Sequence, residues 1–324
     1  MPAQLTFFCE LPSADLTELF ADLDLVALLA SHQARVAMAL IDLTAERAAV
    51  IERLTDAGVP VTAWLVLDEL DGYWLTLDNV QLARDRWRQI RAWSEGFGLK
   101  FACVGLDIEA PHDDAVALVD APFLTLARLT WLRRTRRQWR TALDDLRALV
   151  AEIRADVPEI ETYQFPVIVD ERAAGSTLLQ RILGIADLRA DREVLMLYRS
   201  MLPEPWGDVL VDGYGPAAEA IAIGITGGGV AALEDAFAPR QLDLAATLRE
   251  LARARRQTGH LYVFSLEGCV AQGWLAQLLA ADLDKLATTQ GVTRARAGRV
   301  VARALLTTDR LVARLRRMTR TQLP

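Results

Sequence analysis

Short apolar runs alternate with amphipathic stretches along most of this chain. The runs at 4–10, 35–42, 60–67, 100–108, 161–167, 193–199, 220–226 and 260–267 are apolar on both faces, as strands buried on both sides must be. Between them, 44–57, 79–97, 117–156, 172–185, 208–219, 242–257 and 270–287 repeat apolar residues at intervals of three and four, which predicts helices. "LTAERAAVIERLTDAG" is representative: its pattern stops at Gly58, just before the next strand, and Glu46 lies in the first turn, where the helix dipole favours an acid.

Strands that alternate with helices form a parallel sheet, and eight of them in about 270 residues fit an α/β fold of the (β/α)8 TIM-barrel type. The doubly wound open sheet is the competitor, but no G-x-G-x-x-G follows the first strand to mark a dinucleotide site. Two segments exceed the pattern. Residues 117–156 form a long fourth helical segment, either two helices or one extended helix, with the basic run "RLTWLRRTRRQWR" at 128–140. Residues 292–324 carry nine Arg against the single Asp309. The chain therefore divides into a (β/α)8 barrel domain, 1–290, and a basic amphipathic helical C-terminal extension, 291–324. Val300, Val301, Leu305, Leu311, Val312 and Leu315 in that extension need cover, so the tail either docks on the barrel or binds a partner.

Composition narrows the function. The chain is 52% hydrophobic and 24% charged, enough apolar material for a large folded core. A net charge of −7 argues against nucleic acid as a partner. Three widely spaced cysteines (Cys9, Cys103, Cys269) and three histidines (His32, His112, His260) make neither a zinc cluster nor a disulfide framework. The expectation is a cytoplasmic protein with no transmembrane segment and no cofactor: no run reaches the roughly 18 apolar residues of a span, and "MPAQLTFFCELP" lacks a basic stretch before its apolar run.

In such a barrel, chemistry belongs at the C-terminal strand ends. These ends supply Glu10, Asp42, Trp64 with Asp68, Asp107 with Glu109, Tyr163 with Gln164, Tyr198, and Glu267. Strand alternation puts Cys103, Gly105, Asp107 and Glu109 on one face. Gly105 beneath the acid pair either leaves room for a ligand or relieves crowding. Asp42 and Glu10 each have an ordinary reading as well, as a helix cap or a solvated loop residue. The loop "LDELDGYWLTLDN" brings Tyr73 and Trp74 beside Trp64, and aromatic faces flanking carboxylates suit a carbohydrate.

Glycosidic hydrolysis needs one carboxyl to protonate the leaving oxygen and a second group at the anomeric carbon. Glu109, with its longer reach and Asp107 beside it, is the acid candidate, and Glu267 the base or nucleophile. Glu10, Asp42, Trp64, Asp68, Tyr73, Trp74, Tyr163 and Gln164 are candidates to hold the sugar. Two other readings stay open. Glu10, Asp42, Asp107, Glu109 and Glu267 together suit a hard metal such as Mg²⁺ or Ca²⁺ and phosphoester or isomerase chemistry, and "GITGGG" at 224–229 is the kind of turn that holds phosphate. A non-catalytic saccharide-binding barrel is the third.

"VGLDIE" resembles the end of the D-G-x-D-x-D-x-E signature of the chitinase-like glycoside hydrolases, with Glu109 and Asp107 on its last two acids. Position 105 is Gly, 103 is Cys and 102 is Ala where that signature has Asp, Gly and Asp. The resemblance implies that Glu109 is the general acid, that Asp107 assists a substrate group, and that Tyr198 stands for the assisting tyrosine. "AWLVLDELDGYW" is similar to the corresponding strand of bacterial glycoside-hydrolase-like barrels.

Overall fold

The computed structural model describes residues 3–111, 113–114, 117, 122–132, 135–201, 207, 210–228, 241–286 and 307. Eight parallel strands pair in chain order and close into a barrel: β1 (Gln4–Cys9), β2 (Arg35–Ala39), β3 (Val61–Leu65), β4 (Cys103–Ile108), β5 (Glu159–Gln164), β6 (Arg192–Met196), β7 (Ala220–Gly224) and β8 (His260–Phe264). Closure is made by β1 against β8, with Gln4 opposite His260 and Phe8 opposite Phe264. The fold is a (β/α)8 barrel, and each expected strand is present within a few residues of its expected bounds.

The helices follow the expectation less evenly. Ala45–Asp56, Val80–Phe97 and Leu244–Arg255 lie where the periodicity puts them. The long segment 117–156 contains two helices, Pro122–Leu132 and Arg136–Asp156, the second opened by Thr135 in a capping box with Gln138. Helices Ser13–Leu19 and Leu23–Ser31, between β1 and β2, were not among the expected elements; the second is capped by the Asp22 carboxylate. Val167–Ala174 and Leu178–Leu183 replace one expected helix, each ending at a glycine with positive φ, Gly175 and Gly184. The expectations for the basic extension fall outside the described residues, as does most of the β7–α turn beyond Gly228. Cys9, Cys103 and Cys269 are free and buried. Among the described residues no helix is long and apolar enough to cross a membrane.

Strand alternation sorts the core into two. Outward residues such as Phe7, Val36, Leu65, Leu106 and Val263 pack under the helices. Inward residues fill the barrel, where Phe8, Trp64, Tyr163 and Tyr262 oppose the small Ala37, Ala39, Ala220 and Ala222. Phe8 meets Tyr163 edge-on at 4.8 Å and Trp64 at 5.2 Å. Below these rings lies a polar floor. Fully buried Glu161 accepts from the Tyr163 and Tyr262 hydroxyls, both at 2.7 Å, and Arg192 approaches it at 3.6 Å.

This packing decides what Gly105 is for. A Cβ at 105 would fall on the Tyr163 hydroxyl and 2.6 Å from its Cζ, so the glycine makes room for Tyr163 rather than for a ligand. Gly105→Ala is therefore expected to cost about 1–3 kcal/mol through overpacking. Urea unfolding measures it, and a variant as stable as the parent would contradict the packing.

Candidate active site

Four carboxyl groups and two tyrosines come together at the C-terminal mouth of the barrel. Glu10 immediately follows β1, Asp107 lies in β4 with Glu109 just beyond it, and Glu267 opens the helix Leu266–Ala271 after β8. Tyr198 follows β6, and Tyr73 comes from the loop after β3. All six are under 9% exposed.

The β3 loop is stitched onto β4. Leu75 N–H donates to Asp107 O at 3.0 Å, and Glu109 N–H donates back to Leu75 O at 3.3 Å. Asn79 holds the loop from within, its Oδ1 accepting from Thr76 N–H and its Nδ2 donating to the carbonyls of Asp71 and Trp74. Gly72 (φ 96°) and Tyr73 (φ 60°) both adopt the left-handed region. For a bulky residue such as Tyr73 this costs about 1–3 kcal/mol. In return, its hydroxyl is aimed at Glu10 Oε1, to which it donates.

Glu267 spans the seam where the barrel closes. Its Oε1 accepts from the backbone N–H of Glu10 at 3.3 Å. Gly228 (φ 79°) lies against it so closely that a Cβ there would come within 2.6 Å of Glu267 Cγ. Ser265 caps the same helix, accepting from Gly268 N–H at 3.2 Å and donating to Gly227 O at 2.5 Å.

Burial dominates the electrostatics. Burial pushes Glu10 up to about 8, with Glu267 and Glu109 adding to the shift and the Tyr73 hydrogen bond opposing it. Burial likewise raises Glu109 to about 8, against the hydrogen bond it shares with Asp107. Asp107 is held well above the usual range by burial, then by the charges of Glu109 and Glu10. Glu267 rises to about 7 through burial, offset by donors that include Ser265 and the Glu10 N–H. A hydrogen bond between two carboxyl groups requires a proton on one of them, so Asp107 and Glu109 act as a proton-sharing pair. Burial and the charges of Asp107, Glu109 and Glu10 hold the Tyr198 phenol neutral. Three buried atoms at this end make no hydrogen bond: Asp107 Oδ1, Trp64 Nε1 and Glu267 Oε2.

Other candidate residues lie elsewhere. Asp42 is paired with the buried Arg47 at 3.0 Å and accepts from Ser13, which together outweigh its desolvation and hold it well below the usual carboxylate range. It locks β2 to the following helix and is not part of the mouth. Asp68 is exposed on the rim at the start of the turn Glu69–Asp71. Tyr163 sits one layer down with its hydroxyl on Glu161. Gln164 faces the outer side, where its amide donates to Thr162 Oγ1 and Leu188 O at 3.0 and 2.6 Å, because neighbouring strand residues point to opposite faces. Trp74 is buried edge-on to Tyr73 at 5.7 Å, and Trp64 lines the barrel under the acids.

In the glycine turn at 224–228, two backbone N–H groups are already committed within the protein. Ile225 N–H donates to Ser200 Oγ at 2.9 Å and Thr226 N–H to Phe264 O at 2.8 Å; Gly229 lies outside the described residues. Among the described residues no group of three or more His, Cys, Asp or Glu is placed to hold a metal ion.

No protein-family model and no curated protein matches the chain. Among solved structures it is similar to the PgaB (BpsB) glycoside hydrolase domain from Bordetella bronchiseptica, at 12% identity over 89% of this chain and 100% of that one, with a TM-score of 0.49. It is also similar to a GH18 chitinase from Pseudoalteromonas aurantia (11% identity, 86% and 99% covered, TM-score 0.44). A D-allulose 3-epimerase from Methylomonas sp. matches at 13% identity, 88% and 94% covered, with a TM-score of 0.42. Barrels of different chemistry stand side by side here, so the chemistry has to be argued from this chain's own side chains.

The raised carboxyls carry a sign for stability. In the unfolded chain these groups release their protons near the ordinary value of about 4.3, whereas the folded protein keeps those of Glu10, Glu109 and Glu267 until about 8, 8 and 7. Their contribution is fully present below about pH 4 and is lost as pH rises through 7 to 8. Urea unfolding across that range is expected to give a falling unfolding free energy, with a shallower fall in Glu10→Gln. An unchanged slope in that variant would remove Glu10 from the cluster.

Proposed function

We propose that the chain is a glycoside hydrolase in which Glu109 is the general acid. The observation that carries this reading is the Asp107–Glu109 pair, two residues apart at the end of β4 and buried together at the barrel mouth. A carboxyl that stays protonated to about pH 8 is the form that can donate to a leaving glycosidic oxygen at neutral pH. Asp107, hydrogen-bonded to it, returns a proton to Glu109 or steadies the positive charge developing on the sugar.

Glu267 is the second carboxylate. Raised only to about 7, against about 8 for Glu109, it gives up its proton first, while Glu109 keeps its own. Two acids whose environments separate them in this way divide into base or nucleophile and acid. Its unpartnered Oε2 is the atom available for that role. Tyr198, with its proton held, supplies a hydroxyl to the same space, and Trp64 and Tyr73 supply ring surface and positioning. Asp68 and Trp74 extend the sugar-holding surface along the β3 loop.

Turnover of aryl glycosides or polysaccharides tests the reading. Glu109→Gln is expected to lose about 100- to 10,000-fold in kcat while keeping its fold by circular dichroism. Wild-type activity is expected to rise through about pH 7 as Glu267 ionises and to fall through about pH 8 as Glu109 does. Equal turnover by the wild type and Glu109→Gln would sink the assignment.

A further inference from the structure

Among the described residues the mouth collects acids and no base. Its titratable groups there are Glu10 from β1, Tyr73 from the β3 loop, Asp107 and Glu109 from β4, Tyr198 from β6, and Glu267 after β8. Among the described residues no Lys, Arg or His is among the charges acting on its four carboxyls. The arginines nearby are committed elsewhere. Arg47 is spent on Asp42 and on the carbonyls of Ala39 and Leu11, and Arg86 on those of Leu40, Ile41 and Val66. The rim adds further acid, with Asp68 and Glu69 on the β3 loop and Asp113 beyond β4 all exposed.

Here Asp107 Oδ1 and Glu267 Oε2, on residues 3% and 8% exposed, make no hydrogen bond. Asp107 lies beside the inward-facing Trp64, and Glu267 lies against the end of β1 at the seam. Unpaired acceptors on buried acids, with an aromatic face beside them, suit a ligand that brings donors and positive charge.

From this geometry we infer that the sugar bound at the mouth carries a free amine, and that its ammonium group is the countercharge of Asp107 and Glu267, while Glu109 keeps its proton. This rests on reading the mouth as a sugar site. A neutral or N-acetylated sugar would leave the acids to hold their own protons. An ammonium lets Asp107 and Glu267 ionise, so its binding displaces protons from the protein. An anionic sugar would add like charge to a site that already cannot ionise all its groups.

Three tetramers with the same β-1,4-linked backbone isolate the amine: glucosamine, N-acetylglucosamine and glucose. Binding to the wild-type protein is measured calorimetrically near neutral pH. The glucosamine tetramer is expected to bind about tenfold or more tightly than either of the others at roughly 50 mM salt, with its advantage shrinking at roughly 500 mM. Its binding alone is expected to release protons, seen as a heat that depends on the buffer. Asp107→Asn is expected to shrink the preference for the glucosamine tetramer over the glucose tetramer.

Equal or weaker binding of the amine-bearing tetramer, a preference indifferent to salt, or no binding of any tetramer would each overturn the inference. The hydrolase reading fails separately. Amine preference without turnover leaves this inference standing and removes that reading, and turnover of neutral glycosides without amine preference does the reverse.

Discussion

Four carboxyl groups buried together, with no cation among them in the described residues, set the terms for the rest of this structure. Bringing isolated charges out of water is costly, and the chain meets the cost by keeping protons on the acids rather than by pairing them with bases. Asp42 shows the other solution in the same molecule: paired with buried Arg47, it is ionised. The contrast separates a strand-end acid held ionised by a base from acids held protonated by burial.

Poised acids need a rigid support, and the barrel interior supplies it in layers. Aromatic rings of Phe8, Trp64, Tyr163 and Tyr262 fill the section below the mouth, and Glu161 ties two of them from beneath through their hydroxyls. Gly105 is the concession that lets Tyr163 stand upright directly under Asp107. Above, the β3 loop acts as an extra rung on β4, so the same segment that aims Tyr73 at Glu10 also fixes the backbone of the Asp107–Glu109 pair. The left-handed backbone at Tyr73 is tolerated because Asn79 and Leu75 fix the loop on both sides.

What could be read from the sequence follows from how local each signal is. Strands buried on both faces advertise themselves as apolar runs, and alternation alone was enough to put Asp107 and Glu109 together. The same rule excludes Gln164 once Tyr163 is inward, since neighbours on a strand cannot share a face. The helices between β1 and β2 are short, at 7 and 9 residues, too brief for periodicity to stand out. The link between Tyr73 and Glu10 spans 63 positions and depends on a left-handed backbone, and Glu161 looks from its surroundings like the start of a strand rather than the anchor of a barrel floor. No local pattern encodes such contacts.

The seam between the first and last strands has a consequence for how the molecule comes into being. Glu10 and Glu267 lie 257 positions apart, and their contact exists only once β8 has paired with β1. Contacts of such span are the slowest kind to form. Until they do, Glu10 lacks the neighbour and the burial that make it hard to ionise, and it behaves as an ordinary surface acid. The protonation that distinguishes the mouth is thus a property of the closed ring. Its appearance marks the moment when the chain, however much helix and strand it already contains, has become a barrel.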